Sequence, residues 1–144
     1  MIPIQNMTFA EAVAPGIIKD AAPFVATAVD AGGANYLTIV VAIGATDVPF
    51  ASMSLQSSTS SGGSYADVTG FVGGTDFALP SATDDNTRIV LHVDTRGKNR
   101  FFRLAATAGD GAAGTYMSAE AILSRVNNHV GTAAAQGAGQ VVYG

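Results

Sequence analysis

The chain has 144 residues and a mass of 14.5 kDa, with 7 Lys+Arg against 11 Asp+Glu and a net charge of −4. Hydrophobic residues make up 48% of it and charged residues only 12%, about half the usual share. That apolar content excludes a disordered chain, the sparse and acidic charge excludes a phosphate-backbone binder, and the absence of cysteine excludes disulfides and thiolate chemistry.

The opening, Met1-Ile2-Pro3-Ile4-Gln5-Asn6, lacks a basic region followed by an unbroken apolar stretch, so no secretory signal is expected. The longest apolar run lies within 37–43, far below the ~18 residues of a spanning helix. A soluble chain made in a cytoplasm, with no membrane contact, is therefore expected.

Period-two alternation dominates from there on. An extended segment runs near residues 4–10, and 24–29 is a weak strand candidate. The clearest strand is 35–43, with Leu37, Ile39, Val41 and Ile43 on one face and Tyr36, Thr38, Val40 and Ala42 on the other. Residues 50–57 alternate Ala51, Met53 and Leu55 with Ser52, Ser54 and Gln56, as a half-solvated strand does. Residues 57–64 are a Ser/Gly-rich surface loop, and 65–71 is another weak candidate.

In 88–94, Ile89, Leu91 and Val93 point inward; 94–100 then reads as a polar hairpin loop around Gly97. The partner strand returns over 101–107 with Phe102, Leu104 and Ala106 on one face. Residues 115–123 admit a strand or a short helix, and Gly114 with the preceding strands favours a strand. About eight short strands separated by Gly- and Ser/Thr-rich turns predict an all-β fold, an antiparallel β-sandwich of jelly-roll type with extended terminal arms. Residues 1–20 form an N-terminal arm or first strand, 21–125 the sandwich, and 126–144 a Gly/Ala-rich tail. The expected core is Leu37, Ile39, Val41, Ile43, Leu91, Val93, Phe102 and Leu104.

Few residues promise chemistry. Gly109-Asp110-Gly111-Ala112-Ala113-Gly114 matches G-x-G-x-x-G, but it joins two strands rather than a strand and a helix, so it reads as a turn and not a nucleotide site. His92 and His129 have no nucleophile elbow to serve, and His92 falls on the less buried face of its strand. Asp84-Asp85 belongs to a turn by composition, and no EF-hand spacing occurs. No catalytic residue, metal or cofactor is expected.

Arg96, Lys98, Arg100 and Arg103 form the one basic cluster, suited to an acidic neighbouring protein or to aspartates of the same chain rather than to nucleic acid. Apolar groups also gather near the termini: Ile2, Ile4, Met7 and Phe9 at one end, Val141, Val142 and Tyr143 at the other. With Arg96, Lys98 and Arg100, these are the candidate partner-contact residues. An extended arm adds a strand to a neighbour's sheet edge, so at least one terminus is expected to cross to another subunit.

Six segments together resemble a family of small proteins encoded by tailed bacteriophages, the capsid decoration or cement proteins. They are Met1 to Ile4, Ala34 to Asp47, Leu79 to Asn86, Asp94 to Phe101, Ala106 to Thr115 and Ser118 to Arg125. The resemblance implies a β-sandwich on the outside of the virion head that clamps neighbouring subunits of the major capsid protein. It implies no catalytic residue. Three capsid subunits meet at the three-fold points of an icosahedral lattice, so a homotrimer is the expected state. The alternatives are a receptor- or carbohydrate-binding sandwich of a tail fibre, and a neck or tail-completion protein. A sugar binder usually presents stacking aromatics, and this chain has no Trp and four Tyr.

Overall fold

The computed structural model describes residues 6–16 and 18–124. Among these residues nine strands follow in chain order: β1 (Thr8–Val13), β2 (Ile18–Lys19), β3 (Val29–Asp30), β4 (Tyr36–Ile43), β5 (Ser52–Ser58), β6 (Ala66–Val72), β7 (Arg88–Asp94), β8 (Phe101–Thr107) and β9 (Thr115–Ser124). They form two antiparallel sheets, in the orders β1-β9-β4-β7 and β3-β8-β5-β6, with β2 extending the β1 edge along β9.

The pairs β1·β9, β3·β8, β4·β7 and β5·β6 are those of one long hairpin with its tip between β5 and β6. Rolling that hairpin so that successive pairs fall in alternate sheets gives a jelly roll. The β-sandwich expected from the alternation is therefore the fold, and residues 115–124 are a strand.

Each long strand folds as its sequence dictates. β4 and β8 alternate half-buried and buried positions along their length, and β9 alternates buried positions with half-buried or exposed ones. All eight expected core residues are buried, none more than 6% exposed. Met53, Leu55, Val29, Met117, Ala119 and Ala121 complete one cluster between the sheets. Phe24 and Phe50 stack at its rim, with ring centroids 6.0 Å apart.

One expectation is corrected. Residues 94–100 do not close a hairpin: β7 lies in the first sheet and β8 in the second, where β8 pairs with β3 and β5. The loop instead crosses the sandwich. It is tied at its start by the Thr95 hydroxyl, which donates to the Ala34 carbonyl at 2.7 Å, and by the Thr95 N–H on the Asn35 carbonyl. Both strands have one fully apolar face, and placing them in opposite sheets turns those faces into a common core.

The weak candidate 24–29 is an irregular edge. Pro23 bridges Thr107, Phe24 donates to Ala106, and regular pairing is confined to Val29 and Asp30. Pro23 falls at a position whose N–H would point away from β8, so the bonds of Ala108 to Ala22 and of Phe24 to Ala106 form on either side of it.

Candidate interaction surface

The two outer faces of the sandwich differ in kind. On the second sheet the outward groups satisfy one another. Asp67 accepts from the Ser54 hydroxyl at 2.8 Å and from Gln56 Nε2 at 2.9 Å, Gln56 Oε1 accepts from Arg103 Nε at 2.8 Å, and Arg103 lies over the Tyr65 ring.

The first sheet presents rows of directly paired residues, which share a face. One row runs Phe9, Ile122, Thr38, His92 across β1, β9, β4 and β7. The next runs Glu11, Glu120, Val40, Val90, and the next Ser118, Ala42, Arg88. Beyond these, Ile18 pairs with Tyr116. Val90 (46% exposed), Tyr116 (46%) and Ile18 (45%) are three of the four large apolar side chains most open to water among the described residues. This face is apolar where its counterpart is polar.

Its charges are unusual as well. Glu11 and Glu120 are cross-strand neighbours, a like-charge pair that disfavours the sheet. Among the described residues neither carboxylate, nor Arg88, has a side-chain ion pair or hydrogen bond. A shallow depression of about 510 Å³ lies between them, lined by Glu11 and Glu120 on one side, Arg88 on the other and Val40, Ala42 and Ile122 in its floor. His92 belongs to the same face, with its Nδ1 3.1 Å from the Thr38 hydroxyl.

Of the residues singled out from sequence, Met7 is half-buried ahead of β1, and Phe9 is half-buried on the outer face just described. Ile2, Ile4, Val141, Val142 and Tyr143 lie outside the described residues, as do the terminal arms expected from them. Arg96 and Arg100 pair with aspartates of their own chain. Arg96 grips Asp94 through Nε and Nη2 and covers the Tyr36 ring, while Arg100 does the same to Asp30 and covers Phe101. Both pairs are exposed. Lys98 is also exposed, and among the described residues it makes no ion pair.

The G-x-G-x-x-G segment holds an anion of its own making. The N–H groups of Ala112 and Ala113 both donate to Asp47 Oδ2 at 2.6 Å, and that of Gly111 donates to Asp20 Oδ1 at 2.8 Å. A side chain at Gly111 would strike the Asp47 carboxylate, one at Gly109 the Pro49 carbonyl, and Gly114 has φ +76°. The glycines thus wrap carboxylates where a nucleotide loop wraps phosphate. Asp84 likewise caps its own turn through the Ser81 N–H and hydroxyl, and Asp85 accepts from the Thr46 N–H. No group of three or more metal-ligating side chains occurs among the described residues.

These hydrogen bonds lower carboxylate pKa values. Asp47 is lowered by the N–H of Ala113, with that of Ala112, Asp30 by Arg100, Asp67 by Gln56 and Ser54, and Asp84 by Ser81. Arg96 brings Asp94 down to about 2. A depressed folded value means stability that is present above the ordinary 3.8 and is lost as pH falls through the folded value, and for the exposed pairs of Asp94 and Asp30 solvent screening keeps that share small. Denaturant midpoints should therefore be level near neutrality and fall progressively from about pH 5 downward. Asp47→Asn should lower the midpoint at neutral pH and flatten that acid limb. A midpoint that rises on acidification contradicts the assignment.

No helix among the described residues is long and apolar enough to cross a membrane. No protein-family model matches the chain, and no curated protein matches its sequence.

Proposed function

We propose that the chain is a structural protein of a bacteriophage virion, bound to the outside of the head, where it cements neighbouring subunits of the major capsid protein. The observation that carries this reading is the first sheet's outer face: open apolar groups and unpaired charges on a domain whose other outer face is polar and self-satisfied. A charge-poor centre is what protein interfaces use. The jelly-roll fold and the six family-like segments support the same role. Three copies per capsid site are the expected stoichiometry, and the terminal arms carrying Ile2, Ile4, Val141, Val142 and Tyr143 are proposed to reach a neighbouring subunit.

Binding to empty heads built from the major capsid protein of the same phage tests this, by co-sedimentation. The protein should saturate at a fixed ratio, and a protein that stays in the supernatant at every ratio contradicts the role. Neutralising Arg96, Lys98 and Arg100 to glutamine should change the melting temperature little, because exposed ion pairs contribute little to folding. The same change should slow binding to heads and weaken its dependence on salt. Salt-independent binding of the parent protein removes the loop from the contact.

A further inference from the structure

We infer that the outer face of the first sheet is covered by a second copy of this chain, with the Arg88 border of one copy laid against the Glu11–Glu120 border of the other. The inference rests on the reading of this face as a protein interface; it gives the face to a second copy and leaves the contact with the capsid to the Arg96–Arg100 loop and the terminal arms.

The two borders carry opposite charge on opposite sides of one face. Glu11 and Glu120 sit on β1 and β9, at one side of the sheet, and Arg88 sits on β7, its far edge. Between them on β4 lie Val40 and Ala42, with Val90 beside Arg88 on β7 and Ile122 beside Glu120 on β9. Within one copy the charges leave each other unpaired across the depression. Side-by-side carboxylates repel, and a cation from outside relieves that repulsion while the apolar strip is being desolvated. A two-fold contact between identical chains requires a surface that complements itself, and this face supplies the acid, the base and the apolar centre together. A basic protein of another kind would satisfy Glu11 and Glu120 but would leave Arg88 opposed by a like charge. A second copy satisfies all three.

The edge chemistry agrees. Thr87 and Thr95, which flank β7, are hydrogen-bonded to β4, so the alternation places the outward N–H and C=O groups at Arg88, Val90, His92 and Asp94. Arg88 and the Asp94–Arg96 pair bracket Val90 and His92 there, which discourages unlimited edge-to-edge stacking and leaves the broad face as the surface for association.

Sedimentation velocity on the full chain tests the pairing with three variants: R88E, E11K/E120K, and the triple R88E/E11K/E120K. The parent should sediment as an assembly. R88E and E11K/E120K should each weaken self-association by about tenfold or more, since each sets like charges face to face. The triple variant restores opposite charges with the signs exchanged, and should recover the parent's assembly. A monomeric parent, or single-border reversals that leave the mass unchanged, overturns the inference. So does a triple variant that melts like the parent and stays dissociated. Head binding measured in parallel separates the two claims. Charge-dependent assembly without head binding removes only the capsid role. Head binding by a chain indifferent to these charges removes only the self-pairing.

Discussion

Ile39→Ala or Leu104→Ala should lower unfolding free energy by about 2–5 kcal/mol, the lost transfer energy of the removed groups plus the cavity left between the sheets. Both side chains are fully buried, at 0% exposure, and they come from opposite sheets, Ile39 from β4 and Leu104 from β8. Ile39 is flanked in its own sheet by Leu91 on β7 and Ala121 on β9, so no neighbouring strand end can swing in to fill the space. Leu104 faces Leu55 across the β5–β8 ladder with the same consequence. Urea midpoints of the two variants, with an unchanged slope, check this. Midpoints within error of the parent would show that the sandwich is not closed around these residues.

Gly109→Ala should cost about 1–3 kcal/mol, the usual range for overpacking a close contact. The added methyl would strike the Pro49 carbonyl oxygen and lie 2.6 Å from a Val48 methyl, and the first of these is backbone that cannot turn aside. The Gly109 carbonyl also accepts from the Ala21 N–H at 2.9 Å, so displacing the loop loosens the segment leading into the second sheet's edge. Gly62→Ala is the matched control: a methyl there meets nothing within 4 Å, and its stability should equal the parent's. Equal melting temperatures for both variants would contradict the packing described for the loop.

The parts of the fold that sequence made legible are those set by local alternation. Leu37 to Ile43 and Phe102 to Ala106 announce a buried face every second residue, and the structure buries those residues. What alternation does not encode is which strand lies beside which. β7 and β8 are separated by a short polar loop and look like a hairpin, yet they part into different sheets because Thr95 is fastened to the start of β4. The two-residue strands β2 and β3 are too short for any period.

The candidate surface was half legible. Tyr36, Thr38, Val40 and Ala42 were visible as a second, less buried face of β4, but its charges were not. Glu11 and Glu120 come from opposite ends of the chain and meet only because β1 and β9 are the outermost pair of the rolled hairpin. The Asp47 cradle is the same kind of event: its glycines were conspicuous, and the aspartate that they enclose is far away in sequence.

The proposed role is tested most directly by a density map of the intact virion at a resolution that shows strands. The account predicts a two-sheet jelly roll on the outer surface of the head, repeated at equivalent lattice points, with the Val40–Val90 face against protein and the Ser54–Gln56–Asp67 face toward solvent. A head surface without this domain, or the domain found on the tail alone, would contradict it.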